Sequence, residues 1–185
     1  MENTKGQFWS FDVIFAVIIF SFAITILAFT WYNISSQLAL GYSNGSGIMQ
    51  QQLQSLAQSL LSPGVPTYWQ GTIDTANGLT WGGVYAGLAQ GQSGAVLSPA
   101  KVYALISMSN TNYQATKQVL GVGYDYYITI TSGSKIGSGI NISIGSSPFN
   151  KGALTIYVAN RNAVMNGVPV NMRLMLWTNR TLAVS

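Results

Sequence analysis

Cysteine and histidine are both absent from this chain of 185 residues. Without them the protein has no disulfide framework, no thiol nucleophile, no imidazole base and no zinc cluster built from the usual ligands. These absences exclude much of enzyme chemistry, and we expect the protein to work without a cofactor.

Charged residues are also rare. They make up only 6% of the chain, against about 25% in an ordinary soluble domain. Serine, threonine, asparagine, glutamine, glycine and tyrosine supply the polarity instead. That composition favours a surface that is glycosylated, packed against copies of itself or exposed to harsh conditions. The net charge of +4 comes from scattered basic residues without a cluster, so we expect no nucleic acid partner.

Acidic side chains are too few for a typical catalytic site. Beyond the N-terminal segment only Asp74 and Asp125 are acidic, and they lie in different segments, whereas a glycosidase pair must stand about 5–10 Å apart. A metal site at Asp125 lacks an evident second ligand. The glycine-rich stretch at 121–127, GVGYDYY, runs from a predicted helix into a predicted strand, which is the reverse of a phosphate-binding loop. We therefore predict that the protein is not an enzyme.

What the sequence does contain is a long apolar segment near its start. The seventeen residues 13–29 carry no charge, and aromatic residues flank both ends. With its flanks the segment reaches the ~20 residues that cross a hydrocarbon layer of ~30 Å, and the aromatic residues suit its two interfaces. The residues after it lack the small side chains of an ordinary secretory cleavage site. We predict a transmembrane helix that stays attached to the rest of the chain.

The residues before the apolar segment carry a resemblance. A short leader that ends in Lys5-Gly6, followed by Gln7 and by the acidic Asp12, resembles the class III signal of archaeal type IV pilin-like proteins. The resemblance implies that a prepilin-type peptidase cuts after Gly6 and leaves Gln7 as the new N-terminus. Asp12 would then be the sixth residue of the mature chain, one place later than the acid of the family pattern.

The same resemblance implies how the helix would assemble. In pilins the acid near the N-terminus can neutralise the terminal amine of a neighbouring subunit, and the apolar helix packs with its copies in the filament core. By that analogy the assembly residues of this chain are Asp12, Val13, Ile14, Phe15, Ile18 and Phe22. A different interpretation of Ser10 and Asp12 is helix capping, since both side chains accept hydrogen bonds from the free N–H groups at a helix start.

Periodicity predicts the organisation of the remaining residues. Apolar residues recur at helical spacing over 47–61, after Ser98-Pro99 and over 112–120. Beyond Gly123 the period falls to two residues and indicates four strands, the last two joined by a hairpin at Asn166-Gly167. The third strand is marked by Leu154, Ile156 and Val158. We predict an α+β fold, in which a long N-terminal hydrophobic helix precedes short helices and a C-terminal antiparallel sheet of about four strands covered by helices, as in type IV pilin-like proteins.

These patterns, together with the leader that the resemblance implies, divide the chain into a leader peptide (1–6), a transmembrane or assembly helix (7–41) and an extracellular α+β domain (42–185). Four Asn-X-Ser/Thr sequons are candidate glycosylation sites. They begin at Asn33, Asn44, Asn141 and Asn179. If these asparagines carry sugar, the C-terminal domain lies outside the cell.

We expect the protein to be an adhesive structural subunit of an archaeal type IV pilus-like surface filament, assembled through its hydrophobic helix after prepilin-type processing. Its partners would be copies of itself, the peptidase and the pilus assembly machinery, and the membrane before assembly. It would be located in the cell envelope as an anchored precursor and then in the extracellular filament. The alternative is a non-polymerising single-pass envelope protein whose extracellular domain binds a ligand or partner.

Overall fold

The computed structural model of the chain describes residues 5–43, 45–92, 96–133, 139–149 and 151–181. These residues form two compact units, one that ends before Gly45 and one that begins there. The first unit is a single helix. The second unit contains a sheet, several shorter helices and a hydrophobic core.

Helix α1 covers Lys5–Ser43 without a break. Its 39 residues span about 58 Å at the α-helical rise. Residues 7–40 contain neither glycine nor proline, so no residue interrupts the backbone hydrogen-bond ladder. Ser10 and Asp12 both lie inside the helix and not at its first residue, so the capping interpretation of these two residues is wrong.

The second unit begins with helices that enclose an irregular segment. The helices are α2 Gly45–Leu60, α3 Trp69–Thr72, α4 Pro99–Thr111 and α5 Tyr113–Val119, with a 3₁₀ turn at Gly78–Trp81. Pro99 starts α4 as predicted, although the Ser98 side chain makes no capping hydrogen bond. The side chain of Asn112 caps α5 by accepting a hydrogen bond from the N–H of Ala115 at 3.0 Å.

The C-terminal half forms one sheet. Its strands are β1 Val96–Leu97, β2 Asp125–Ser132, β3 Asn141–Gly145, β4 Thr155–Met165 and β5 Val168–Thr178. They lie in the order β1-β4-β5-β2-β3, where β1 pairs parallel to β4 and the other pairs are antiparallel. Asn166 and Gly167 have φ angles of 54° and 76°, the positive values that a tight hairpin turn requires. The predicted α+β fold is confirmed, with a short parallel edge strand added to the four predicted strands.

Helices cover one face of this sheet. Helix α2 contacts β4 and β5, and α4 contacts β3. The core between them consists of fully or nearly fully buried apolar side chains, among them Met49, Leu53, Leu56, Leu60, Val102, Leu105, Met108, Tyr126, Ile128 and Leu174. Burying a side chain of this size stabilises the fold by about 1.5–3 kcal/mol. The core can therefore hold the second unit together in a chain without cysteine.

The apolar alternation around residue 156 marks a strand but not its inward face. Ile156 and Val158 belong to β4 and Leu154 precedes it, yet the three side chains are 41–63% exposed. The register with β5 instead turns Tyr157 and Ala159 toward the core. A period of two residues determines which side chains share a face, and tertiary packing determines which face is buried.

The irregular segment between α2 and α4 is ordered by backbone and side-chain hydrogen bonds. Val65 and Tyr85 exchange two backbone hydrogen bonds of 2.9 Å. Lys101 of α4 is only 3% exposed, and its ammonium group donates to the carbonyls of Pro63 and Ala89 at 2.7 and 2.8 Å. Burial lowers the pKa of Lys101 from its ordinary value. This lysine ties two distant parts of the segment to α4.

Candidate functional site

The most exposed apolar surface of the molecule is on α1. Phe11–Ser35 is a span of 25 residues with a mean hydropathy of 2.7, and none of it is buried within the chain. At the helical rise it measures about 37 Å, which exceeds the ~30 Å of a hydrocarbon layer. It is the one helix within the described residues that is long and apolar enough to cross a membrane. Such an N-terminal helix is compatible with a membrane anchor or with a signal sequence.

The apolar side chains of α1 point outward on all sides of the helix. A surface helix of a soluble domain normally has one apolar stripe and a polar face toward water. In α1 the proposed assembly residues are each 46–67% exposed; they are Val13, Ile14, Phe15, Ile18 and Phe22. The described part of the chain therefore provides no cover for these side chains, and the surface requires an apolar environment from elsewhere.

Three polar side chains inside the span form hydrogen bonds within the helix itself. Thr25, Thr30 and Asn33 each donate a hydrogen bond to the carbonyl four residues earlier, at 2.8, 2.8 and 2.9 Å. Such bonds matter in lipid, where no water is present to satisfy a polar group. These three residues are thus compatible with an apolar environment.

Asp12 is the sole charged residue of the span, and its side chain is exposed. A lone carboxylate near lipid is costly unless it is paired. Gln7 lies five residues earlier, which places it about 140° around the helix and about 7.5 Å along it. If cleavage after Gly6 made Gln7 the N-terminus, its amine would lie on another side of the helix from the carboxylate of its own chain. The side chains of the processing residues Lys5, Gly6 and Gln7 are outside the described part of the structure.

Asp125 begins β2 and belongs to a polar cluster with α5. The hydroxyl of Tyr113 donates to Asp125 Oδ1 at 3.1 Å, and Lys117 Nζ lies 3.4 Å from the same oxygen. The ring of Tyr113 stacks on Tyr126 with a centroid distance of 4.9 Å. Burial raises the pKa of both phenols above their ordinary value of 10.0. The phenols therefore stay protonated and act as hydrogen-bond donors near neutral pH.

Asp74 has a different set of neighbours. Its Oδ1 accepts the N–H of Ala76 at 2.9 Å, and its carbonyl accepts the indole N–H of Trp81 at 2.8 Å. These bonds order the loop before the 3₁₀ turn. No hydrogen bond among the described residues joins Asp74 to Asp125, and the same ranges contain no group of three acidic side chains that could hold a metal ion.

Described residues of the second unit line surface depressions, of which two bear on function. One has a volume of about 440 Å³, and its described lining, which includes Trp81 and Gln118, contains no charged side chain. The other has a volume of about 340 Å³ and lies beside Asp125, where Lys117 and Arg180 also line it. The charged side chains thus distinguish the second depression, which we call the Asp125 pocket.

Several large aromatic residues of the second unit belong to the protein interior. Trp69, Trp81 and Tyr126 are at most 3% exposed. Within the described residues of the second unit, three tyrosines are strongly exposed, and they are Tyr68, Tyr85 and Tyr103. Packing therefore accounts for the buried aromatic side chains of the second unit, and its exposed tyrosines are the ones available for a sugar-binding face.

The sequons occupy different environments. Asn33 lies in the apolar span of α1, and Asn44 is outside the described residues. Asn141 is exposed on the edge strand β3. Asn179 is exposed just after β5 and lines the Asp125 pocket. Asn141 and Asn179 are therefore the candidates whose side chains the structure leaves accessible.

The sequence alone did not identify Tyr113, Lys117 or Arg180 as neighbours of Asp125. One signal was present, because residues four apart on a helix are adjacent, and Tyr113 and Lys117 have that spacing. Comparison of the chain with models of protein families, with curated protein sequences and with solved structures gives no match. Any assignment of function depends on the residues and geometry described above.

Proposed function

We propose that the protein is a structural subunit of an archaeal type IV pilus-like surface filament, assembled through α1 after cleavage behind Gly6. The observation that carries this proposal is the apolar span Phe11–Ser35, which is exposed on every side. Lipid can surround such a helix before assembly, and copies of the same helix can surround it afterwards. One apolar surface would thus serve as an anchor and as the core of a filament.

The position of Asp12 supports contact between copies. Its carboxylate is exposed and is the sole charge of the span. Because an amine at Gln7 would lie on another side of the same helix, the neutralising amine would have to come from a neighbouring subunit. That geometry agrees with the role that the sequence resemblance implies for this acid.

The second unit suits a role outside the membrane. It folds around its own core, and its sequence contains seven basic residues but only the two acids Asp74 and Asp125. A net positive domain attracts anionic partners over long range. We assign to it the outer, adhesive part of the subunit, with no enzymatic activity.

A second candidate is a single-pass envelope protein that does not polymerise. The span on α1 is long enough to serve as a permanent anchor, and the Asp125 pocket offers a site for a ligand. In that case α1 would keep its leader, and the second unit would act alone at the surface.

The N-terminal residue of the protein isolated from its native envelope tests the proposal, read by intact mass and terminal peptide sequencing. We expect a start at Gln7 and filaments in electron micrographs. Gly6→Val should block cleavage and remove the filaments, because a branched side chain replaces the hydrogen of glycine at the cut. Ala23→Val is the matched control, since it adds apolar volume to the exposed helix far from the cut and should leave processing intact.

A start at Met1, or the loss of Met1 alone, would contradict cleavage behind Gly6 and favour the anchored alternative. Cleavage without filaments under native expression would contradict polymerisation while it retained the processing signal. The two measurements therefore distinguish the two halves of the proposal.

A further inference from the structure

The Asp125 pocket combines residues from three elements of the second unit. Gln114 and Lys117 come from α5, Asp125 from the start of β2, and Asn179 and Arg180 from the residues after β5. Its volume of about 340 Å³ lies near the lower end of small-molecule sites. The pocket therefore has room for a small polar group, such as one unit of a larger polymer.

Arg180 provides the available positive charge in this pocket. Its backbone N–H donates to Thr178 Oγ1 at 3.2 Å, but its guanidinium has no hydrogen-bond partner within the described residues. Lys117, by contrast, is already 3.4 Å from Asp125 and its side chain is only 14% exposed. A guanidinium carries donors in a fork that matches a carboxylate. The free end of Arg180 thus favours an acid group on the ligand.

The other polar groups of the pocket favour hydroxyls on the same ligand. The Asp125 carboxylate accepts hydrogen bonds, and the side-chain amides of Gln114 and Asn179 both donate and accept them. A phosphate polymer offers few hydrogen-bond donors to these acceptors. A neutral sugar would offer hydroxyls but would leave Arg180 without an anion.

We propose that the Asp125 pocket binds a carboxylate-bearing sugar unit of an acidic polysaccharide, with Arg180 on the carboxylate and Asp125 accepting from a hydroxyl. This proposal specifies the class of ligand that the adhesive domain would bind. It rests on the proposed function, which places the pocket at the cell surface. The seven basic residues of the second unit against its two acids would attract such a polyanion before it docks.

The test is isothermal titration of the full-length chain in detergent micelles with oligogalacturonate, compared with a neutral galactose oligomer of the same length. We expect saturable binding of the acidic oligomer and none of the neutral one. Arg180→Gln should weaken binding about tenfold, the equivalent of one hydrogen bond to a charged group. Arg173→Gln is the matched control, because Arg173 is exposed on β5 but does not line the pocket, and it should change the affinity less than about twofold.

A second variant keeps the proposal falsifiable if charge alone drives binding. Asp125→Asn should weaken binding of the acidic oligomer although it makes the protein more positive, because the amide is a poorer acceptor for a hydroxyl. Equal losses for Arg180→Gln and Arg173→Gln, tighter binding by Asp125→Asn, or equal binding of the neutral oligomer would each overturn the proposal. Circular dichroism confirms that each variant is folded. These readouts are independent of the N-terminal residue and of filaments, so failure here leaves the proposed function standing, and the reverse also holds.

Discussion

Two helices of this protein differ in how their apolar side chains are arranged and covered. In α2 the apolar residues lie on one side, where Met49, Leu53 and Leu56 are at most 2% exposed, and the rest of the helix is mostly glutamine and serine. In α1 the apolar residues lie on every side, and none of the span Phe11–Ser35 is buried. A single stripe can be satisfied by one sheet of the same chain. A helix that is apolar all round needs an environment that encloses it, which one compact unit does not supply.

The largest difference in stability between the two regions should come from replacing one leucine by alanine in each. Leu105→Ala removes a fully buried side chain of α4 and should lower the free energy of unfolding of the second unit by about 2–5 kcal/mol. Leu27→Ala removes a side chain of α1 that is 70% exposed and should change that free energy by less than about 0.5 kcal/mol. Urea unfolding of the full chain in detergent micelles, followed by tryptophan fluorescence, measures both. Similar losses for the two variants would show that the units are not independent.

A smaller effect should distinguish two glycines of the irregular segment. A Cβ at Gly87 would collide with the backbone of Ser62 and Gly64, whereas a Cβ at Gly71 in α3 meets nothing within 4 Å. Gly87→Ala should therefore cost about 1–3 kcal/mol of stability, and Gly71→Ala should be neutral or slightly stabilising. Thermal and urea unfolding of both variants provide the comparison. If Gly87→Ala were as stable as Gly71→Ala, the close crossing of the two backbones would be refuted.

The elements of the second unit could be predicted because their signals are local. The stripe of α2, the proline at the start of α4 and the Asn166-Gly167 hairpin each depend on residues close in sequence. The pairing of β1 with β4 could not be predicted, since it joins Val96 to Val164 through only two residues of strand. The buried face of β4 could not be predicted either, because the exposed face of this strand also carries apolar side chains.

The candidate site follows the same rule. The apolar span of α1 is a property of consecutive residues and was readable from the sequence. The Asp125 pocket requires α5, β2 and the residues after β5 to meet, and Asp125 and Arg180 are 55 positions apart in the chain. Only the adjacency of Tyr113 and Lys117 was local. A site built from single residues that are far apart in the chain leaves no recognisable motif in one sequence.

A moderate effect is expected at the hydroxyl of Tyr113. It donates to Asp125 Oδ1 at 3.1 Å and accepts the N–H of Tyr126 at 3.0 Å, so Tyr113→Phe should cost about 1–2 kcal/mol near pH 7. Tyr103→Phe is the matched control, because Tyr103 is 64% exposed, and it should be neutral. Urea unfolding at a series of pH values measures both variants.

The pH dependence of the same variant has a defined sign. Burial raises the pKa of Tyr113 above its ordinary value of 10.0, so the folded state holds this proton more tightly than the unfolded state. The stability that results is fully present below pH 10 and is lost as the pH rises through the folded pKa. The wild type and Tyr113→Phe should therefore converge in stability above pH 10. A difference that stayed constant or widened there would contradict the burial of this phenol; Lys101, whose lowered pKa acts in the opposite sense, is common to both proteins.

The smallest effect on folding should come from Asp12, where the comparison between the two regions is sharpest. Asp12→Asn keeps the shape of the side chain and lies outside the second unit, so the unfolding free energy of that unit should change by less than about 0.5 kcal/mol. Assembly should nevertheless fall, because an amide cannot neutralise the amine of a neighbouring subunit. Asp74→Asn is the matched control, since Asn can still accept the hydrogen bond from Ala76, and it should leave filaments unchanged. Filament yield by sedimentation and electron microscopy measures both. Normal filaments from Asp12→Asn would contradict the role of this carboxylate in neutralising the amine of a neighbouring subunit. A loss of filaments with an intact second unit would locate assembly on α1, the helix that the described part of the chain leaves uncovered.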